Sequence, residues 1–220
     1  WGMRCPHSAP SDGTAFGAAF GADCHTPGAY CPAMNLRSAT PDNPRPDAAA
    51  LAPLTRAGID RPTMPEGYGV ENATIVLDWA TVLGKLAAAT HYWLGSVRPD
   101  GTPHTVPRWG VWLDDRFFYD GAPTTVHTRN VEANPACTLT LESGTDVVIV
   151  EGTSIAVRAL ADGFGQRLAT AFGKYHDLDY RPGPDSWESP TDGGGLRAIT
   201  PHRVMAWSRF PDDCTRFRFT

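Results

Sequence analysis

The sequence predicts a mainly β, α+β fold: an antiparallel β-barrel with a few flanking helices. Three observations predict it. Short strand-like runs recur from residue 92 to residue 219, separated by Gly, Pro, Asp and Ser. Stretches with helical apolar spacing lie between some of them. The first 63 residues, by contrast, lack the large apolar groups that a core requires.

The elements follow in order. In residues 75–89, Trp79, Val82, Leu83 and Leu86 recur at i, i+3, i+4 and i+7, one apolar helical face, with Asp78 as a start signal. Residues 92–98 form a strand, closed by the turn Pro99-Asp100-Gly101. A second strand covers residues 103–113, interrupted by Pro107 and Gly110, and Asp114-Asp115 turns the chain into a third at 116–120. Residues 124–134 read as a short helix, capped by Thr124 or Thr125 and ended by Asn134-Pro135. Strands at 136–143 and 146–157 come next, then an amphipathic helix at 159–175. Residues 177–195 are a long Pro-, Gly- and Asp-rich loop, of the length usual in lids, binding loops or disordered segments. Strands at 196–199, 203–209 and 215–219 complete the series.

A length of 220 residues suits one domain plus an appendage. Residues 1–63 hold nine prolines and 13 alanines, but only six residues from Leu, Ile, Val and Phe. That share is far below the roughly 20% that marks a chain unable to offset its ordering entropy. Residues 40–47, with Pro41, Pro44 and Pro46, suit neither a helix nor a central strand. Residues 1–63 are therefore expected to be a disordered extension with the functional start at Met64, and 64–220 the folded domain.

Composition excludes several functions. A net charge of -5 argues against a general nucleic-acid surface. No apolar run approaches the roughly 20 residues that span a bilayer. Five cysteines without a C-x-x-C pair predict free thiols and a cytoplasmic protein, and Cys24, His25 and Cys31 fit no common zinc spacing. No nucleophile elbow, H-E-x-x-H pair, phosphate loop or dinucleotide fingerprint occurs.

What stands out is an ordered series of words. Tyr92-Trp93-Leu94-Gly95-Ser96-Val97 leads through Asp100-Gly101 to Pro103-His104, then to Val106-Pro107-Arg108-Trp109-Gly110-Val111-Trp112. Phe117-Phe118-Tyr119 follows, then Thr124-Thr125-Val126-His127-Thr128-Arg129-Asn130-Val131 with Asn134-Pro135. Glu142-Ser143-Gly144 and Val148-Ile149-Val150-Glu151-Gly152 complete it. In this order the words resemble the flavin-reductase-like split β-barrel family, the pyridoxamine 5'-phosphate oxidase-like proteins. The branch most similar uses deazaflavin F420 or FMN. The resemblance runs from about Met64 to Phe219 and leaves the first part untouched.

The candidate cofactor-binding residues fall in two groups. His127 and Arg129, with the hydroxyls of Thr124 and Thr125 and Asn130 beyond them, lie on a short helix that starts just after a strand, where free backbone N–H groups favour an anion. The resemblance puts the cofactor's phosphate there, with Lys or Arg usual at the place of His127. A histidine is only partly charged near pH 7 unless an anion raises its pKa. The second group is Val106, Pro107, Arg108, Trp109 and Gly110, along which the resemblance lays the isoalloxazine-like ring. Pro and Gly inside a strand mark a close approach of another group. Trp109 and Trp112 would face opposite sides of a regular strand. His104 reads as a polar strand residue, and no catalytic base or metal site is identified.

The resemblance implies an oxidoreductase that passes a hydride between bound F420, or alternatively FMN, and a small electron-poor organic substrate. The cofactor would carry the chemistry and the chain would supply position and electrostatics. It also implies a homodimer with the cofactor site at the subunit interface. The rival reading is a non-catalytic split-barrel module that binds flavin or haem. A pyridoxamine 5'-phosphate oxidase proper would need a second phosphate cluster, and the sequence shows none.

Overall fold

The structure, a computed structural model, describes residues 45–68, 75–189 and 195–220. The Cys24, His25 and Cys31 reading lies outside these residues. Asp78 caps α1 (Trp79–Ala88), its carboxylate accepting the Thr81 N–H at 2.9 Å, and the helix buries Trp79, Val82 and Leu86. Strands β2 (Tyr92–Val97) and β3 (Pro103–Arg108) form a hairpin in unbroken register, from Tyr92 opposite Arg108 to Val97 opposite Pro103. Gly101 supplies its turn with φ +85°. Strands β4 (Val111–Leu113) and β5 (Arg116–Asp120) pair through a turn in which Asp114 and Asp115 both have positive φ. Then come α2 (Val126–Ala133), β6 (Ala136–Thr140), β7 (Val147–Val157), α3 (Gln166–Phe172), β8 (Leu196–Trp207) and β9 (Thr215–Phe219).

The strands all pair antiparallel with one another, and an isolated parallel bridge joins Asp47 to Arg158. The sheet runs β1-β9-β8-β7-β6-β2-β3, where β1 is Arg56–Asp60, and β5 joins β8 with β4 beyond it. The long β8 makes this possible. Its whole length pairs with β7, while residues 196–199 pair with β5 and residues 203–206 with β9 along the opposite edge. Among the described residues no pairing joins the two ends, so the sheet is an open, split barrel. No described helix is long and apolar enough to cross a membrane.

Two cores result. One gathers Trp79, Leu86, Leu94, Trp112, Phe117 and Phe217 beneath α1, the other Phe118, Phe164, Leu168, Phe172, Tyr175 and Trp187 beneath α3. Strand β5 feeds both, Phe117 and Tyr119 to the first and Phe118 to the second, so it is apolar on both faces.

Five details differ from the sequence reading. The single strand expected at 103–113 is two, β3 and β4, parted at Trp109-Gly110 and paired with β2 and β5 respectively. Residues 45–63 belong to the folded domain, so the boundary expected at Met64 lies too far along. Ala48–Ala50 form a short 3-10 turn capped by Asp47, and β1 adds an edge to β9. An edge strand is held by main-chain bonds and needs few large apolar groups, which is why composition hid it. The strands expected at 196–199 and 203–209 are one strand with an irregularity opposite Glu151 and Gly152. The helix expected at 159–175 is broken: a π turn at Ala161–Gly165, in which Gly163 is non-helical, precedes α3, and a 3-10 turn, Gly173–Leu178, follows it. The described part of the 177–195 loop is no free lid, because its Trp187 is 0% exposed.

Candidate functional site

The site grows from parity. On β2, Tyr92, Leu94 and Ser96 all point to the buried side, so a hydroxyl sits where a core side chain belongs. Asn130 of α2 satisfies it, its Nδ2 donating to Ser96 Oγ at 3.0 Å. That bond ties the buried face of α2 to the hairpin. It also brings His127, one helical turn before Asn130, into the protein.

Around the buried ring of Tyr119 the structure collects several basic side chains. The Arg108 guanidinium lies 5.4 Å from its centroid and the His127 ring 6.1 Å from it. The Tyr119 hydroxyl is 3.2 Å from Ser154 Oγ, and Arg197 Nε donates to that same oxygen at 3.0 Å. Arg197 is ion-paired with Glu132 of α2. Arg108 donates to the main-chain oxygen of Asp120, while its Nε is buried without a hydrogen-bond partner, as is His104 Nδ1. Buried polar nitrogens left without a partner are costly, and such sites call for a ligand or water to complete them.

His127 is only 3% exposed. Burial first, then the positive fields of Arg108, His104 and Arg197, hold its pKa down at about 4. The ring is therefore neutral near pH 7. Its Nε2 lies 3.4 Å from Thr125 Oγ1. Thr125 is the N-cap residue of α2, yet its side chain makes no capping bond; the hydroxyl donates to Ala122 O at 3.0 Å. The first N–H groups of α2 are not satisfied by that side chain.

Of the residues singled out from the sequence, Arg108, Thr125, His127 and Asn130 thus meet around the start of α2. Val106 packs against the first core and Pro107 is exposed on β3. Arg129 is exposed, and its Nη1 donates to Thr124 O at 2.8 Å, with Thr124 exposed beside it. The Gly110 reading needs a different cause. A Cβ there would lie 2.2 Å from the Phe117 ring, so the close approach is by the core. Gly110 N–H and C=O are both engaged by the Tyr175 hydroxyl, at 2.9 and 2.8 Å. Trp109 stacks on Tyr175 at 5.2 Å in the second core, whereas Trp112 is in the first. The two tryptophans do face opposite ways.

Sequence reasoning missed Ser96, Tyr119, Ser154 and Arg197. The signal was available only for Ser96, as a polar residue at an inward position of an alternating strand. His104 was taken as a bland strand residue; it also lines an open groove of about 580 Å³. The groove lies where β2 beyond Gly95 parts from β6, and Ser96, Val97, Cys137, Gly152 and Thr153 line it as well. The Cys137 thiol is pushed up to about 12 by burial and is inert as a nucleophile.

Residues 81–189 match the family model for pyridoxamine 5'-phosphate oxidase. The folded domain belongs to the pyridoxamine 5'-phosphate oxidase-like split-barrel family. No curated protein matches the chain. Among solved structures, an F420 reductase is 22% identical over 59% of this chain and 98% of its own, with a TM-score of 0.42. An FAD-binding protein from Mesorhizobium loti is 20% identical, covering 64% of this chain and 95% of that one, TM-score 0.43. A conserved hypothetical protein from Mycobacterium tuberculosis is 15% identical over 62% and 88%, TM-score 0.45.

Proposed function

We propose that the protein is a cytoplasmic oxidoreductase of this family that holds a phosphorylated deazaflavin, F420, or FMN, and reduces a small electron-poor substrate. The observation that carries the reading is the pair of orphaned buried nitrogens, Arg108 Nε and His104 Nδ1, beside His127. Arg108 Nε is a donor, and His104 Nδ1 becomes one in the tautomer protonated there; with that tautomer the pair fits the phosphate of the cofactor. When bound, the ring system would supply or accept the hydride. The chain's own part is to fix the anionic end. Arg108 provides a permanent charge whose aim is set by Asp120 O, and the first N–H groups of α2 add neutral donors. Gly110 and Trp109, engaged by Tyr175, are left as the floor of the second core and not as contacts to the ring.

The test uses each cofactor beside its dephosphorylated form, riboflavin for FMN and the bare deazaflavin core for F420. One phosphorylated form should bind more tightly than its dephosphorylated partner. Arg108→Ala should remove about 1.5–3 kcal/mol of that preference, the worth of a charge-assisted contact. Equal binding of both forms would overturn the phosphate site. Oxidation of the reduced cofactor by an electron-poor acceptor at steady state separates the enzyme from a binding module.

The functional unit of this reading is a homodimer with the site at its interface. The outward face of the sheet supports it: Trp93 is 41% exposed, Val97 38% and Ile155 36%. Aromatic and aliphatic groups on one face are the composition of an interface core. Sedimentation at micromolar concentration should give twice the chain mass, and Trp93→Lys should give monomers that bind cofactor weakly. A wild-type monomer with tight cofactor binding would refute the shared site.

A further inference from the structure

The charged residues at the β4–β5 turn are unequally matched. The turn is Asp114-Asp115, and Arg116 opens β5 directly after it. Asp114 is cancelled by Arg167 of α3, whose Nη1 and Nη2 donate to its two oxygens at 2.8 and 2.6 Å. Asp115 has no such partner. One of its oxygens accepts from Trp79 Nε1 at 3.0 Å, and the other accepts nothing among the described residues. Arg116 is only 6% exposed. Its Nε donates to Thr200 Oγ1 at 3.2 Å and its Nη2 to Ala52 O, both neutral oxygens. Its Nη1 makes no hydrogen bond and its guanidinium no ion pair among the described residues; Asp114 and Asp115 act on it only at a distance. A buried cation held by neutral groups alone is costly, and a free N–H on it calls for an anion.

Asp115 and Arg116 share a cavity of about 380 Å³ between this turn and residues 48–54. Small-molecule sites run from roughly 300 to 1,000 Å³. Its apolar walls include Leu51, Leu54, Phe118 and Phe164. Arg116 and Phe118 stand two apart on β5 and share one face, whereas Tyr119 points to the other, so the cavity is separate from the cluster around Tyr119. We propose that this cavity binds an apolar α-amino acid as its zwitterion, the carboxylate on Arg116, the ammonium on Asp115 and the side chain against Leu51, Leu54, Phe118 and Phe164. The unfilled groups decide the class. A plain carboxylate would answer Arg116 but leave Asp115 repelling it, and a plain amine would do the reverse. The Asp114–Arg167 pair adds no net charge, so the four groups sum to zero and suit a ligand without net charge. Each end of the zwitterion makes a charge-assisted hydrogen bond, the strong kind. The inference goes beyond the cofactor reading and does not depend on it.

Titration calorimetry of the full chain tests this with leucine and phenylalanine beside 4-methylpentanoate and 3-methylbutylamine. Each of the last two keeps the leucine side chain and one of its two charges. Leucine or phenylalanine should bind, and each single-charge analogue should bind roughly tenfold or more weaker than leucine. Asp115→Asn keeps an oxygen for Trp79 and tolerates the φ of 58°, but removes the charge. It should bring leucine down to the level of 4-methylpentanoate. Ala49 lines the cavity and is exposed, so Ala49→Phe should block leucine without moving the melting temperature of the free protein, which keeps a test in hand if Asp115→Asn does not fold. Absence of binding of both amino acids at millimolar concentration overturns the proposal. So does equal affinity for leucine and 4-methylpentanoate, or leucine binding that neither variant disturbs. Displacement of bound leucine by FMN would put it at the cofactor site, and overturns the assignment to this cavity.

Discussion

Removing residues 1–63 is expected to unfold the domain under conditions where a chain lacking only residues 1–44 stays folded. The segment between supplies three kinds of contact. Strand β1 pairs with β9 from Arg56 opposite Phe219 to Asp60 opposite Arg216, extended by reciprocal bonds between Thr55 and Thr220 at 3.0 and 2.9 Å. Asp60 accepts from Arg216 and Arg218, each at 2.8 Å, and the Arg216 hydrogen bond, the largest cause, keeps its carboxyl at about 2. Arg61 donates to the carbonyls of Ile75, Pro211 and Asp212, pinning the turn between β8 and β9. Leu54 packs on the first core. Loss of several main-chain bonds alone costs roughly 3–5 kcal/mol. A small domain has about 5–15 kcal/mol in all. The cut also bares β9, a strand with buried Phe217 and Phe219, as an unpaired edge prone to association. Thermal denaturation of the two truncated chains decides the matter. Equal melting temperatures would restore the boundary to Met64.

How far the fold was legible follows from what each element needs. Helix α1 and the β2–β3 hairpin were readable because their apolar spacing, the Asp78 cap and Gly101 are local signals. Strand β1 was not, since its stability lies in hydrogen bonds to a strand some 150 residues away and leaves no mark on its own composition. The break in the third helix came from Gly163 and Gly165; a Cβ at Gly165 would lie 2.2 Å from Pro184 O, a tertiary contact that periodicity cannot see. The site was half legible. His127, Thr125 and Asn130 follow from a helix start after a strand. Arg108 was singled out among the residues along the ring, but its neighbours Tyr119 and Arg197 are brought in by β5 and β8, whose pairing is set far along the chain. Gly110 misled for a reason of the same kind, because glycine reports a close approach without saying of what.

The second large effect is expected at Trp187, which the sequence places in a loop of lid-like length. Trp187→Ala should destabilise the domain by about 3–5 kcal/mol, the cost of emptying a fully packed aromatic site. The side chain is 0% exposed and stacks on Phe172 at 5.4 Å. Its main-chain oxygen accepts from Ala159 N at 3.0 Å, and Nε1 donates to Asp120 Oδ2 at 2.8 Å. Burial raises the Asp120 pKa, and the Tyr180 and Trp187 donors act against that rise. Trp187→Phe separates the two contributions: it keeps much of the stacking and removes one donor, and should cost about 1–3 kcal/mol. The same carboxylate residue offers its main-chain oxygen to Arg108, so the loop is connected to the proposed phosphate site through one residue. Both variants should therefore lose phosphate preference as well as stability, and Trp187→Phe should do so while still folded. Chemical denaturation and FMN-against-riboflavin titration measure the two losses. A Trp187→Ala protein with an unchanged midpoint would mean that the loop opens freely, and that it serves as a lid after all.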